Sequence, residues 1–214
     1  MSTPVVIDVV SDVVCPWCYV GKKRLEAAMR MLPEQNFAVF WRPFQLDPTI
    51  PKEGLPRKTY LERKFGNLER LAQTHAQLVE IGKAEGIAFA FDRITRSPNT
   101  LDAHRLIRWA QEAGKQTEMV DRLFALYFAE GADIGNHEVL IKAAVDVGLD
   151  GALVTQLLAT GADLDPVIAE INAAGKMGIT GVPTFIFASR YAISGAHPAE
   201  TIKKAIEQNA LTNH

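Results

Sequence analysis

Residues 4–10 read PVVIDVV, a β-branched run around a single acid, and predict a short buried strand. Apolar positions then change period. Val20, Leu25, Ala28 and Met29 recur at helical spacing until Pro33 stops them. Residues 36–44, NFAVFWRPF, return to a strand-like run. A strand–helix–strand opening favours parallel pairing through a right-handed crossover.

The middle of the chain reads differently. Pro48, Pro51, Gly54 and Pro56 make residues 45–58 loop-like. From residue 59 to about 175 the pattern is helical. Leu61, Phe65, Leu68, Leu71 and Leu78 form one apolar stripe. Residues 87–94 predict a short extended passage after Gly86. Asn99 is placed to cap the next helix, with Asp102 as a capping-box partner. Further helices are predicted over 116–130, 136–147 and 150–160. Asp165 and Pro166 form a cap and first-turn pair for one over 167–176. Residues 184–188 and 191–194 read as a hairpin, and 198–208 as a closing helix. No fixed-period repeat or low-complexity tract interrupts this order. An α/β frame is thus split between both ends, with a helical block between.

Composition adds mainly exclusions. The chain has 214 residues, 48% hydrophobic, with a formal charge of −2. That balance gives no electrostatic footprint for nucleic acid or an anionic membrane. Residues 1–14 lack the basic start and small-residue cleavage site of a signal peptide. No apolar run reaches the roughly 20 residues needed to span a bilayer. A cytoplasmic location is therefore the expectation.

The two cysteines carry the chemistry. Cys15-Pro16-Trp17-Cys18 follows a predicted strand and opens a predicted helix. Unpaired N–H groups at a helix start favour an anion, so the Cys15 thiolate is expected to form below the free-cysteine pKa of about 8.5. Cys18, one turn inside, is in reach to resolve a mixed disulfide. Pro16 fits the first turn, where an N–H is dispensable. Trp17 offers an apolar platform beside the sulfur. Structural zinc needs four ligands, and neither a second cysteine pair nor an H-x₃₋₅-H spacing is present. No metal and no nucleotide cofactor is expected; the redox-active group is the Cys15–Cys18 pair itself.

Four segments carry a family resemblance. They are residues 12–21 (DVVCPWCYVG), 99–106 (NTLDAHRL), 178–185 (GITGVPTF) and 194–196 (SGA). In this order, around a helical insertion, they resemble the DsbA-like thioredoxin superfamily, and within it the FrnE-like branch. Related branches are the 2-hydroxychromene-2-carboxylate isomerases and kappa-class glutathione transferases. The resemblance implies a thioredoxin-like α/β fold with a large all-helical insertion. Residues 1–44 and 163–214 would form a discontinuous thioredoxin-like domain, and 45–162 the insertion with its connecting loop. It implies a cis peptide at Val182–Pro183, facing the dithiol and docking an extended substrate. It also marks Asn99, Ser194 and Gly195 as candidate cleft residues.

In the isomerase and transferase branches a serine takes the place of Cys15 and activates glutathione. Two cysteines here favour a protein disulfide oxidoreductase. The alternatives are a glutathione-dependent isomerase or transferase on a small aromatic compound, and a binding module with a redox switch. Expected partners are disulfide or dithiol proteins, with glutathione as a candidate co-substrate, acting on a monomer or homodimer. A cytosolic glutathione pool near about −220 to −320 mV makes reduction, isomerisation or relay as reasonable as oxidation.

The remaining polar residues read more plainly. Asp12 caps the helix or sits in a turn, with proton transfer at the dithiol as the sharper role. Asp8 stands in the strand within possible reach of the buried sulfur. His104 reads as an ordinary hydrogen-bonded helix histidine, and Arg105 as surface charge. Phe37, Phe40, Trp41 and Phe44 read as core.

Overall fold

The computed structural model describes residues 4–210 of the chain. Four strands form the main sheet: β1 (Val5–Ser11), β2 (Phe37–Pro43), β5 (Thr184–Phe187) and β6 (Tyr191–Ser194), in the order β2-β1-β5-β6. β1 runs parallel to β2, with Val5 opposite Phe37 and Ser11 opposite Pro43. It runs antiparallel to β5, with Ile7 opposite Phe187. Flanked on both edges, β1 is central, and Ile7, Val9 and Val10 are buried. A two-stranded ribbon, β3 (Leu55–Pro56) and β4 (Arg96–Ser97), lies apart.

Helices supply the rest. They are α1 (Pro16–Arg30), α2 (Arg57–Phe65), α3 (Leu68–Glu85), α4 (Leu101–Glu112), α5 (Gln116–Phe128), α6 (His137–Asp146), α7 (Gly151–Thr160), α8 (Leu164–Lys176) and α9 (Ala199–Ala210). α1 packs on α9 and α3, while α5 and α8 pack on β2. Side-chain caps start several of them. Asn67, Asn136 and Asp150 accept N–H groups from the first turns of α3, α6 and α7.

The structure departs from the sequence-based expectation at definite places. The apolar stripe is cut at Gly66, whose φ of 64° ends α2 before Asn67 starts α3. Residues 91–93 form a 3₁₀ turn, and the extended pairing falls later, at Arg96–Ser97. α4 is capped by position 100, one residue after Asn99. Asn99 Oδ1 still accepts the Leu101 N–H at 3.0 Å, and its Nδ2 donates to the Ile50 carbonyl at 2.7 Å. Asn99 therefore ties the 45–50 loop to α4. α8 begins at Leu164, ahead of the Asp165-Pro166 pair. Its cap position, Asp163, spends its carboxylate on Trp109 Nε1 at 2.8 Å and on Arg108.

Arg105 is the largest correction. It is not surface charge: it is 2% exposed. Nε donates to the Ala162 carbonyl, Nη2 to the Leu157 carbonyl and Nη1 to Asp102, all at 2.5–2.6 Å. Asp102 does not close a capping box, because its other oxygen faces His137 at 2.8 Å. Of the aromatics at 37, 40, 41 and 44 only Trp41 is fully buried; Phe40 lies under the Arg42 guanidinium.

Candidate active site

Cys15 is the N-cap of α1. Its backbone is extended (φ −91°, ψ 113°), and its Sγ accepts the Cys18 N–H at 3.4 Å. No acidic residue occupies the first turn of α1. The helix start thus offers a sulfur at position 15 unpaired N–H groups with no acidic side chain in the helix's own first turn. The cap is supplied by the cysteine itself, so Asp12 does not serve as one. Cys18 is 1% exposed behind it. Burial pushes the Cys18 thiol well above its ordinary pKa, and the hydrogen bond and charge of Cys15 push the same way. Both are free thiols.

The Val182 carbonyl faces the dithiol and accepts from Cys15 Sγ at 3.8 Å. The Val182–Pro183 peptide is cis. Ser194 and Gly195 brace this loop from behind. Thr184 Oγ1 reaches both the Gly181 carbonyl and Ser194 Oγ, and the Gly195 N–H donates to the Pro183 carbonyl at 2.7 Å. At φ 101° position 195 suits only glycine.

Gly21, one turn past Cys18, gives the loop its room. A Cβ there would stand 2.8 Å from Pro183 Cγ and 3.2 Å from Phe185 Cζ. Gly21→Ala is expected to displace the loop and to lower stability by about 1–3 kcal/mol, the usual cost of overpacking. Thermal unfolding and the rate of Cys15 alkylation check this; an unchanged melt with unchanged alkylation would contradict it.

The dithiol opens on a cavity of about 380 Å³. Asp12, Cys15, Pro16, Trp17 and Val182 line one side, and residues of α2 and α3 line the other. Pro183, Asn99, Ser194, Gly195 and Asp8 are not among the lining residues. Asp8 pairs instead with Arg42 at 2.7 Å. Asp12 is 1% exposed; its Oδ2 accepts the Leu46 N–H at 2.8 Å, and its Oδ1 lies 3.5 Å from His104 Nε2. His104 spends that nitrogen mainly on the Phe44 carbonyl at 2.9 Å.

The DSBA-like thioredoxin domain model matches residues 6–207. The chain belongs to that family. The DSBA-like assignment agrees with individual relatives. Bacillus subtilis YwbO, an uncharacterised protein, is 33% identical over 206 residues, 94% of each chain. The structure of a "probable DsbA oxidoreductase" from Streptomyces coelicolor is 35% identical, with a TM-score of 0.89 over 98% of this chain and 91% of that one. The cytosolic disulfide reductase DsbM of Pseudomonas aeruginosa, solved with GSH, shares the fold at 18% identity, with a TM-score of 0.67 over 96% and 99% of the chains.

Several lining residues of this DSBA-like site escape sequence reading: Arg57, Tyr60, His75 and Tyr127. They come from three different helices, so no local spacing announces them. One signal was present. Leu61, Phe65, Leu71 and Leu78, four of the five residues of the apolar stripe, line the cavity, and Phe65 is 51% exposed. Among the described residues no group of three or more His, Cys, Asp or Glu side chains is placed to hold a metal ion. No helix among them is long and apolar enough to cross a membrane.

Proposed function

We propose that this protein is a thiol–disulfide oxidoreductase in which Cys15 is the nucleophile and Cys18 the resolving thiol. One observation carries the reading: Cys15 caps α1 with its sulfur on the cavity, while Cys18 lies buried one turn behind. The Cys15 thiolate attacks a substrate disulfide, forms a mixed disulfide and releases the first thiolate. Cys18, losing its proton, then attacks Cys15 and expels the second. The dithiol is oxidised and the substrate reduced to two thiols; the same steps reversed oxidise a dithiol.

The burial of Cys18 supports this division of labour, because a thiol kept protonated does not compete for the first attack. Val182 and Pro183 form the docking edge, and residues 45–162 form the insertion that roofs it. Disulfide or dithiol proteins are the partners in this reading, glutathione is a co-substrate, and the setting is the cytoplasm. No bound cofactor is needed for the exchange.

Limiting iodoacetamide on the reduced protein, read by mass spectrometry, is expected to label Cys15 first. Preferential labelling of Cys18 would reverse the roles. Redox titration of the pair then gives the direction. A potential near about −270 mV marks a reductase, and one above about −150 mV an oxidant.

A further inference from the structure

The cavity over Cys15 is mainly apolar, walled by Val14, Leu61, Phe65, Leu78 and Phe91 among others. Its charged groups are not equivalent. Lys64 lies 3.5 Å from Asp47, so those two offset each other. Asp12 is held at the dithiol end by the Leu46 N–H. His75 stacks flat on Phe91, ring centroids 4.1 Å apart. Burial first, and the charge of Arg57 second, hold His75 below its ordinary 6.5, so it is neutral at neutral pH.

Arg57 stands apart. Its Nη1 donates to the Tyr127 hydroxyl at 2.8 Å, and its guanidinium lies 5.8 Å from that ring centroid. Burial pushes Tyr127 up to about 12, so this partner is a neutral phenol. Among the described residues no carboxylate pairs with Arg57. Arg57 is half-buried, and with only Nη1 spent on a neutral phenol its fork keeps donors for an incoming acceptor. Its planar fork matches a carboxylate with two parallel hydrogen bonds.

We infer that the cavity binds a small aromatic disulfide bearing a carboxylate, with Arg57 holding the carboxylate while Cys15 attacks the disulfide. The volume, about 380 Å³, falls in the range of small-molecule sites, about 300–1,000 Å³. Cys15 is 4% exposed and lines this cavity, so a substrate sulfur must enter to meet it. Aromatic walls at Phe91, Tyr60 and Tyr127 favour a flat body. The inference rests on Cys15 as exchange nucleophile. One aryl disulfide and the protein dithiol give two aryl thiols and the Cys15–Cys18 disulfide. The S–S bond of the probe breaks, that of the protein forms, and the two thiol protons pass to the arylthiolates or to solvent. No other reductant enters this single turnover.

The test compares two probes on the reduced protein: dithiobis(nitrobenzoate), with a carboxylate on each ring, and the neutral dithiodipyridine. Arg57→Gln is expected to slow the first by about tenfold or more, as for loss of a charged hydrogen-bond pair, and to leave the second within about twofold. Lys58→Gln removes the same charge from the exposed side of α2 and is expected to change neither. Equal slowing of both probes by Arg57→Gln, or an equal effect of Lys58→Gln on the anionic probe, overturns the inference. A second measurement needs no variant. In the wild-type protein naphthoate should protect Cys15 from iodoacetamide at least about tenfold better than naphthylmethanol; equal protection overturns it. A wild-type protein inert to both disulfides would remove the exchange reading itself. One that reacts with both, with Arg57→Gln changing neither rate, removes only the role of Arg57.

Discussion

Cys15→Ser is expected to bring disulfide exchange down to the uncatalysed background, and Cys18→Ser to stall it half-way. A serine hydroxyl at position 15 keeps the cap but does not displace sulfur from a disulfide at neutral pH. The loss should be on the order of 10³–10⁶-fold, the scale seen when a covalent nucleophile is removed. Cys18→Ser leaves the cap sulfur and its helix start intact. Attack proceeds, but no buried thiol follows to expel the substrate. Covalent adducts should therefore accumulate on Cys18→Ser, appear on non-reducing gels and vanish with reductant. Cys15→Ser should trap few or none. Both are near-isosteric exchanges, so thermal unfolding serves as the control for folding. Equal trapping by the two variants would contradict the assignment of nucleophile and resolver.

Arg105→Met carries the largest expected effect on stability. The arginine is buried and joins α4 to the carbonyls of Leu157 and Ala162 and to the Asp102 carboxylate. Removing it strands two carbonyls and weakens the pairing of a half-buried acid. Breaking a buried pair in this way costs about 3–5 kcal/mol. For a chain of this length that lowers Tm by about 6–20 °C. Arg105→Lys keeps the charge without the fork and should fall between the two.

The deficit should also depend on pH. Burial alone would raise Asp102, but the hydrogen bonds from His137 and Arg105 outweigh it and hold the carboxyl below its ordinary 3.8. A depressed acid stabilises the fold fully above its unfolded value and loses that contribution as pH falls through the folded one. The gap between wild type and Arg105→Met should thus narrow below pH 3.8. A gap that is constant, or that widens in acid, would show that Asp102 is not part of the loss.

Cys15 and Arg105 also mark how far sequence reasoning reached. The strand, the dithiol and the helix behind it were legible because each rests on neighbours within about one turn: a β-branched run, a cap, a proline at the first helical position. The α5, α6 and α7 boundaries fell within two residues of expectation for the same reason. Arg105 was misread because its carbonyl partners sit more than fifty residues away. The cavity along the stripe from Leu61 to Leu78 was not legible, because apolar periodicity reports which side chains share a helix face. It does not report whether that face meets core or a cavity.

By itself, then, the sequence determined the dithiol at one helix start and the α/β pattern around it, since caps and periodicities act over a few residues of chain. Tertiary structure decided what that dithiol faces. It set the Val182 carbonyl 3.8 Å from Cys15, across 167 residues of chain, and gathered Arg57, His75 and Tyr127 from three helices around one cavity. Those placements depend on how separately formed helices pack, and no spacing along the chain encodes a distance between elements that touch only after folding.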